Sequence, residues 1–387
     1  MPRAEVDCEE LLAKVAAIAP TIERHREAAE SSGELCAAVV DALKTAGLVN
    51  LLLPRSLGGL EVDPVTCAKV VHAVSRHDSC AGWFLMVANA ARLSAASWSA
   101  ALVEELWGRD NTAIVAASSN RPMKARRVGD GYQVEGHTSF VSGCRFADWF
   151  LTPAVCSEGA TEEWIAVVVP MAACEIVPNW SVLGMRGTGS HDVRISVHVP
   201  ARRGIVSVGM DAPRNRYFDG PLYRCSHRIV FATYVPVSFS IAERSLEVLS
   251  DLARNKVPYA GDGKLKTRSI AQIKFGKALG IYRAAHVYFM SALDDAWQRA
   301  LRDEKPDANQ RAALYLAGTH AVQACAEVVR LVADAAGSSV IYKDGPFERD
   351  LRDMEVLRHH GFTNESRFGS VAQVLWDAPL DYPVMLR

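Results

Sequence analysis

The string that best suits chemistry lies at residues 179–192 and reads Asn-Trp-Ser-Val-Leu-Gly-Met-Arg-Gly-Thr-Gly-Ser-His-Asp. Three glycines in six positions alternate with Arg186, Thr188 and Ser190, so one turn carries backbone N–H groups, hydroxyls and a cation. Such a turn suits a phosphate or the polar edge of a heterocycle. It does not match a dinucleotide fingerprint, because a strand pattern follows the glycines where that fingerprint needs a helix. A glycine-rich turn with solvated polar residues explains the string alone equally well.

A second string runs from Ser139 to Trp149 and reads Ser-Phe-Val-Ser-Gly-Cys-Arg-Phe-Ala-Asp-Trp. The Ser142 hydroxyl could hydrogen-bond a flat ligand while an aromatic ring such as Phe140 packs on its face. Ordinary strand residues around a bulge would give the same pattern.

A third string, at residues 346–361, ends with the adjacent histidines His359 and His360. Neighbours on a helix point about 100° apart, so at most one of the two faces a given site. A histidine can act as a base near neutral pH, but near a helix end it is more often a partner of the helix dipole. No His-x-x-x-His or Glu-x-x-His grouping supports a metal site here, so none is predicted.

The elements that position these strings change type twice along the chain. Apolar residues recur at three-to-four-residue steps up to about residue 97, and short β-branched or aromatic runs follow between Ile114 and Val199, with a hairpin turn at Gly129-Asp130-Gly131. The helical period then returns. The order predicts a helical domain at 1–112, a β-domain at 113–215 and a helical bundle at 216–387. The predicted long helices are 64–97 in the first domain and 241–254, 270–301, 310–336 and 347–374 in the last.

Composition excludes several classes of partner. The 387 residues carry 43 Lys and Arg against 44 Asp and Glu, a net charge of −1, which gives no electrostatic footprint for nucleic acid or for an anionic membrane surface. No stretch approaches the roughly 18 apolar residues of a membrane span. Nine scattered cysteines suit reduced thiols, and the acidic start does not match a signal peptide. We expect a cytoplasmic protein.

Taken together, these strings and the helix–β–helix order resemble the acyl-CoA dehydrogenase fold over nearly the whole chain. Residues 43–59, with Pro-Arg-Ser-Leu-Gly-Gly at their end, are similar to its N-terminal signature. Residues 139–149 and 184–190 are similar to one branch, the oxygenase components of two-component (group D) flavin-dependent monooxygenases. The resemblance implies an α+β multidomain fold: an N-terminal α-helical domain, a middle β-sandwich or barrel, and a C-terminal four-helix bundle.

The resemblance also implies roles for individual residues. Ser142 matches a hydroxyl beside flavin N5 and C4a, and His360 matches the branch's catalytic base. Gly361 stands where many acyl-CoA dehydrogenases carry their catalytic Glu, which argues against dehydrogenation. The other implied roles are flavin contacts for Phe140, Arg186, Thr188 and Ser190, flavin contacts across a subunit boundary for Arg268 and Gln272, and substrate contacts for Asn120 and His359.

The implied activity is that of a reduced-flavin-dependent monooxygenase. It would take FMNH2 or FADH2 from a separate NAD(P)H:flavin reductase, react it with O2 to a flavin C4a-hydroperoxide, and insert one oxygen into a small substrate, with an aromatic one expected. The string 362–368 differs from the best-matched phenol hydroxylases, so N-, S- and non-phenolic C-oxygenation stay open. The alternatives are an FAD-dependent acyl-CoA dehydrogenase and a non-catalytic flavin- or ligand-binding relative.

A homotetramer is also implied by the resemblance. Tyr282, Tyr288 and Phe289 on one long helix could serve its contacts or could belong to the core of the chain.

Overall fold

The N-terminal region is helical, as predicted. A computed structural model of the protein describes residues 7–158, 161–205, 214–259 and 263–383. The helices of this region are α1 (Cys8–Ser32), α2 (Ala37–Thr45), α3 (Pro64–His77), α4 (Ser79–Ser94) and α5 (Ala100–Trp107). The prediction of a single helix over 64–97 is wrong, because the helix ends before Asp78 and a second helix begins after it. The Asp78 carboxylate caps the new helix by accepting the N–H groups of Cys80 at 2.6 Å and Ala81 at 3.1 Å.

The middle region forms one mixed sheet. Its strands are β1 (Val115–Ala117), β2 (Met123–Val128), β3 (Gly131–Thr138), β4 (Trp149–Glu158), β5 (Thr161–Pro170), β6 (Glu175–Val177), β7 (Asp192–Pro200) and β8 (Gly204–Ile205). The strand order is β6-β7-β3-β2-β4-β5-β8, with β1 parallel to β4. The predicted hairpin is confirmed: Val128 pairs with Gly131, and Gly129 takes the left-handed φ of 58° that the turn requires.

The β3–β7 pair fixes where the chemistry-bearing strings lie. The two strands are antiparallel, with Thr138 opposite Val193. Residues 139–143 therefore leave the sheet at the same end at which residues 184–191 enter it.

The C-terminal region is a bundle of long helices, as predicted. They are α6 (Phe231–Asn255), α7 (Ser269–Leu301), α8 (Ala308–Ala336), α9 (Glu348–Arg358) and α10 (Ser366–Leu375). Helix α6 begins ten residues before the predicted 241. Of the residues considered for subunit contacts, Phe289 is fully buried in its own chain.

The helix predicted over 347–374 is wrong, because a turn at 359–365 separates α9 from α10. Both Thr363 and Asn364 donate their backbone N–H groups to the His360 carbonyl, each at 2.9 Å. The Gln323 amide of α8 spans the break and donates to the carbonyls of Arg358 at 2.9 Å and Thr363 at 2.7 Å. His359 and His360 thus lie at the end of α9 and not within a helix, so the 100° argument does not apply to them.

The helical–β–helical order is confirmed, whereas the domain boundaries at 112/113 and 215/216 stay predictions. Within the described ranges, no helix is long and apolar enough to cross a membrane.

Candidate active site

The two strings singled out in the middle region are bonded to each other. Val141 donates its N–H to the carbonyl of His191 at 3.1 Å, and Gly143 donates to the carbonyl of Thr188 at 2.9 Å. These bonds continue the β3–β7 ladder beyond its end, so the string after β3 and the string before β7 form one surface.

Backbone strain marks the same surface. Phe140 and Met185 both hold positive φ, 64° and 53°, which residues with a Cβ rarely adopt. The Phe140 ring is 59% exposed, and it meets Trp180 edge-on with 6.1 Å between ring centroids. An exposed aromatic face held in a strained conformation offers a flat ligand a surface to pack on.

A chain of hydrogen bonds runs beneath this surface. The indole N–H of Trp83, on α4, donates to Ser142 Oγ at 3.1 Å. Ser142 Oγ lies 2.6 Å from Ser190 Oγ, which lies 2.7 Å from Thr188 Oγ1. The Thr188 hydroxyl donates to the Met185 carbonyl at 2.8 Å. We call Ser142, Ser190 and Thr188 the hydroxyl chain. All three residues are buried, so we expect little competition from water for these hydrogen bonds.

Trp83 also connects the hydroxyl chain to His360. Its ring meets the imidazole edge-on, with 5.3 Å between centroids. The other ring neighbours of His360 are Tyr234 at 5.5 Å and Phe362 at 5.1 Å. Ser142 and His360, the two predicted catalytic residues, are therefore brought together on one tryptophan.

Burial among these rings lowers the pKa of His360 to about 4, which keeps the imidazole neutral at pH 7. Phe362 donates its backbone N–H to His360 Nδ1 at 3.4 Å. This contact assigns the ring proton to Nε2, because Nδ1 must supply a lone pair. The imidazole is thus arranged to donate a hydrogen bond from Nε2, and it would be a weak base.

An aromatic cluster extends from His360 into the bundle; its members are Trp83, Phe231, Tyr234, Tyr315, His360 and Phe362. Arg228, a residue only 2% exposed, lies beside two of these rings, with its guanidinium carbon 5.7 Å from the Phe362 ring centre and 5.9 Å from that of Tyr315. One turn beyond Tyr234 and Tyr315, the buried hydroxyls of Ser238 and Thr319 have no hydrogen-bond partner among the described residues. Buried hydroxyls of this kind need a polar partner, which water or a ligand can supply.

Hydrogen bonds from helix α9 hold the segment at residues 183–185, where the 184–190 turn begins. Met185 donates its N–H to Asp353 Oδ1 at 2.5 Å, and Arg352 Nη1 donates to the Leu183 carbonyl at 2.7 Å. Burial raises the pKa of Asp353 to about 6, and the nearby Arg349 guanidinium opposes that shift. Gly184 is required by the contact, since a Cβ there would lie 2.3 Å from the Arg352 carbonyl oxygen.

The remaining predicted residues lie at different distances from this centre. Arg186 is exposed on the turn and donates to the Val182 carbonyl at 3.0 Å. Asn120 is exposed beside Ser118, whose hydroxyl bonds the Ser139 carbonyl at 2.7 Å, so it borders the second string. His359 is exposed and faces Glu355 at 3.3 Å, away from the rings that surround His360.

Arg268 and Gln272 lie at the start of α7. Gln272 donates to the Lys266 carbonyl at 2.9 Å, and no bond in the described part of the chain joins either residue to the hydroxyl chain. Their approach to a flavin across a subunit boundary stays a prediction.

Two residues of the site were missed by sequence reasoning. Trp83 lies in the almost wholly apolar helix α4, and its only signal is that a buried indole N–H needs an acceptor. Arg228 directly precedes a long apolar run, an arrangement that predicts either a structural or a ligand-binding arginine.

The side chains of this surface are of the types that suit the edge and the face of an isoalloxazine ring. A pocket lined by Trp83, Phe84, Ser142, Gly143, Gly187 and Thr188 opens at the hydroxyl chain. It combines an acceptor oxygen for the polar edge of the ring system with aromatic faces for its apolar part. In the described ranges, no group of three His, Cys, Asp or Glu side chains is placed to hold a metal ion.

Comparison with known proteins gives a consistent family. The acyl-CoA dehydrogenase N-terminal domain matches residues 8–97, and the acyl-CoA dehydrogenase C-terminal domain matches residues 233–365. The chain is 27% identical to an indole-3-acetate monooxygenase of Pseudomonas putida over 84% of this chain and 83% of that protein. It is 25% identical to the oxygenase component of p-hydroxyphenylacetate 3-hydroxylase of Acinetobacter baumannii over 94% of this chain and 87% of that protein.

Solved structures share the fold. XiaF from Streptomyces, determined with FADH2 and glycerol, superposes with a TM-score of 0.91 at 20% identity over 97% of both chains. The HsaA monooxygenase of Mycobacterium tuberculosis gives a TM-score of 0.87 at 21% identity over 97% of this chain and 98% of that one.

Proposed function

We propose that this chain, which belongs to the acyl-CoA dehydrogenase family, works as the oxygenase component of a two-component flavin-dependent monooxygenase. The observation that carries the proposal is that Ser142 and His360 both contact one tryptophan, Trp83. A dehydrogenase of this family would need a carboxylate base, and the position expected for it is Gly361.

The overall reaction balances with reduced flavin as the reductant. Substrate, O2 and reduced flavin give oxygenated product, water and oxidised flavin; the flavin supplies the two electrons that reduce the second oxygen atom. Ser142 would hold the N5 edge of the flavin, and Phe140 would pack on its ring. Arg186, Thr188 and Ser190 would shape the flavin-binding turn. The neutral His360 would donate its Nε2–H to an oxygen at the reacting centre.

The aromatic cluster supports an aromatic substrate with a carboxylate. Tilted and edge-on rings around His360 suit an arene, and the buried Arg228 beside Phe362 suits an anionic group. Two relatives are named for arylacetates, indole-3-acetate and p-hydroxyphenylacetate. We therefore propose an arylacetate-like acid, with its ring beside His360 and its carboxylate at Arg228; Asn120 would border the substrate and His359 would lie at the rim.

The partner in this proposal is a separate NAD(P)H:flavin reductase, because several relatives are named as oxygenase components or subunits. We also propose a homotetramer in the cytoplasm, with Arg268 and Gln272 reaching the flavin of a neighbouring subunit.

The test supplies purified protein with chemically reduced FMN or FAD, 18O2 and a panel of arylacetic acids. We expect a product heavier by one labelled oxygen atom, and its loss in the Ser142→Ala and His360→Ala variants. The matched control is Ser240→Ala, which should keep the activity. It removes a buried hydroxyl of α6 that donates to the Val237 carbonyl and has no part in the proposed site.

The dehydrogenase alternative makes the opposite prediction. Protein loaded with oxidised FAD would bleach when an acyl-CoA is added without oxygen, and no labelled product would form from any arene. The non-catalytic alternative would be supported if the Ser142 and His360 variants kept full biological activity.

A further inference from the structure

The hydroxyl chain begins at a group that can only donate and ends at a group that can only accept. An indole N–H has no lone pair to offer in the ring plane, and a peptide carbonyl has no proton. Between Trp83 and the Met185 carbonyl stand three hydroxyls, each with one proton to place.

The direction of each bond follows from the last one. Thr188 Oγ1 and the Met185 carbonyl oxygen are 2.8 Å apart, so two lone pairs would face each other at that distance if the Thr188 proton turned away. Thr188 therefore donates to the carbonyl, and it must accept from Ser190 across 2.7 Å. Ser190, its proton used, must accept from Ser142 across 2.6 Å.

Ser142 is left with no free proton. Its own hydrogen points to Ser190, and one of its lone pairs receives the Trp83 N–H at 3.1 Å. What remains is one lone pair on Ser142, a residue that is 8% exposed and lines the pocket. Burial of Thr188 and Ser190, 6% and 3% exposed, limits the access of water that could reorder the chain.

We infer that Thr188 and Ser190 set the redox form of flavin that the protein binds, by making Ser142 a pure hydrogen-bond acceptor. This inference rests on the proposed function and on the placement of Ser142 beside flavin N5. Reduced flavin carries a proton on N5 and can donate it to Ser142. Oxidised flavin presents a lone pair at N5, which would face the Ser142 lone pair. Thr188 and Ser190 act through Ser142 and are positioning residues.

The test compares the dissociation constants of oxidised and reduced flavin, the latter measured without oxygen. In Ser190→Ala the Ser142 proton loses its acceptor and can turn to N5 of oxidised flavin. The ratio of oxidised to reduced dissociation constants should fall about tenfold, the size of one hydrogen bond. The two-electron midpoint potential of bound flavin should fall by about 30 mV, the same factor expressed as a potential.

Thr188→Val should act in the same direction, because Ser190 loses its acceptor and can donate back to Ser142. Thr188→Ser retains the proton and should keep the wild-type ratio, which separates proton order from packing. Ser240→Ala removes a buried hydroxyl outside the chain and should leave the ratio unchanged.

A ratio within twofold of wild type in both Ser190→Ala and Thr188→Val, with reduced flavin still bound, would overturn the inference. Should one variant not fold, the other together with Thr188→Ser still decides it. A wild-type protein that binds no reduced flavin would contradict the proposed function itself.

Discussion

Trp83 donates its indole N–H to Ser142 Oγ across 3.1 Å, from a helix that precedes the sheet by more than twenty residues. The same ring lies edge-on to His360. The N-terminal helical region therefore supplies the group that links the β-region to the bundle, and the candidate site is built from all three parts of the chain.

Trp83→Phe removes this hydrogen bond and keeps a ring beside His360. We expect a modest loss of stability, about 1 kcal/mol, together with a several-fold lower yield of product per O2 consumed, because Ser142 loses one of the two partners that hold its oxygen in place. The yield is measured from oxygen uptake and product in the same reaction. Trp107→Phe is the matched control: it removes an indole bond of 3.0 Å to the Ala113 carbonyl and should lower stability without changing the yield.

His360 should make stability depend on pH. Its pKa is about 4 in the fold against 6.5 in the unfolded chain, so the unfolded state binds more protons between these values. We expect the contribution of His360 to lower the free energy of unfolding by up to roughly 2 kcal/mol as the pH falls from 7 to 5. Partial exposure of the residue to solvent reduces this effect. Urea unfolding of wild type and His360→Gln at both pH values measures the difference.

Comparison with the variant is essential in that experiment, because Asp353 acts in the opposite sense. Burial raises its pKa from 3.8 to about 6, so its contribution to stability grows as the pH falls through this range. The exposed His359 offers a control, and His359→Gln should keep the wild-type pH dependence. Equal pH dependence in wild type and His360→Gln would show that the imidazole is not desolvated.

Gly184→Ala tests the contact between α9 and the 184–190 turn, which we propose binds flavin. The new Cβ would lie 2.3 Å from the Arg352 carbonyl oxygen, and a backbone atom cannot rotate aside. We expect a loss of about 1–3 kcal/mol in unfolding free energy and at least tenfold weaker binding of reduced flavin. Gly361→Ala, whose Cβ would meet nothing within 4 Å, should change neither quantity. Unchanged affinity for reduced flavin in Gly184→Ala would show that the position of this turn does not matter for flavin binding.

Arg228→Met tests the substrate proposal. A charge-assisted hydrogen bond contributes about 1.5–3 kcal/mol, so kcat/KM for an arylacetate should fall roughly 10- to 100-fold relative to the same arene without its carboxylate. Because Arg228 is buried, Arg228→Lys serves as the milder variant, and the ratio between the two substrates is the quantity that decides. Arg216→Met, at an exposed arginine over Tyr217, should leave that ratio unchanged. An equal fall in kcat/KM for both substrates would show that Arg228 supports packing and does not bind the carboxylate.

Much of this architecture follows from local sequence. The alternation of Val193, Ile195, Val197 and Val199 is typical of a strand with one buried face and lies within β7, and the helical period predicts α7 and α8 nearly to their ends. Strand β2 contains no β-branched or aromatic run, because Lys124, Arg126 and Arg127 interrupt a pattern in which only Met123 and Ala125 are buried.

Contacts between distant segments were harder to predict. The turn that ends α9 depends on hydrogen bonds from Gln323 of α8. Nothing in the sequence around residues 359–365 indicates that Gln323 would lie there. Ser142 and His360 were predicted through the family resemblance, but Trp83 was not, because a tryptophan in an apolar helix looks like core until its N–H partner is known.

The β3–β7 ladder has a consequence for how such a site can diversify. Its register, with Thr138 opposite Val193, is set by residues that never meet the ligand. Polar and aromatic side chains in the two segments, such as Phe140 and Ser142, can therefore vary without disturbing the pairing that aligns them, whereas Gly143 and Gly189, with φ of 67° and 52°, cannot. The sheet thus separates the residues that keep the two segments aligned from the residues that would meet a ligand.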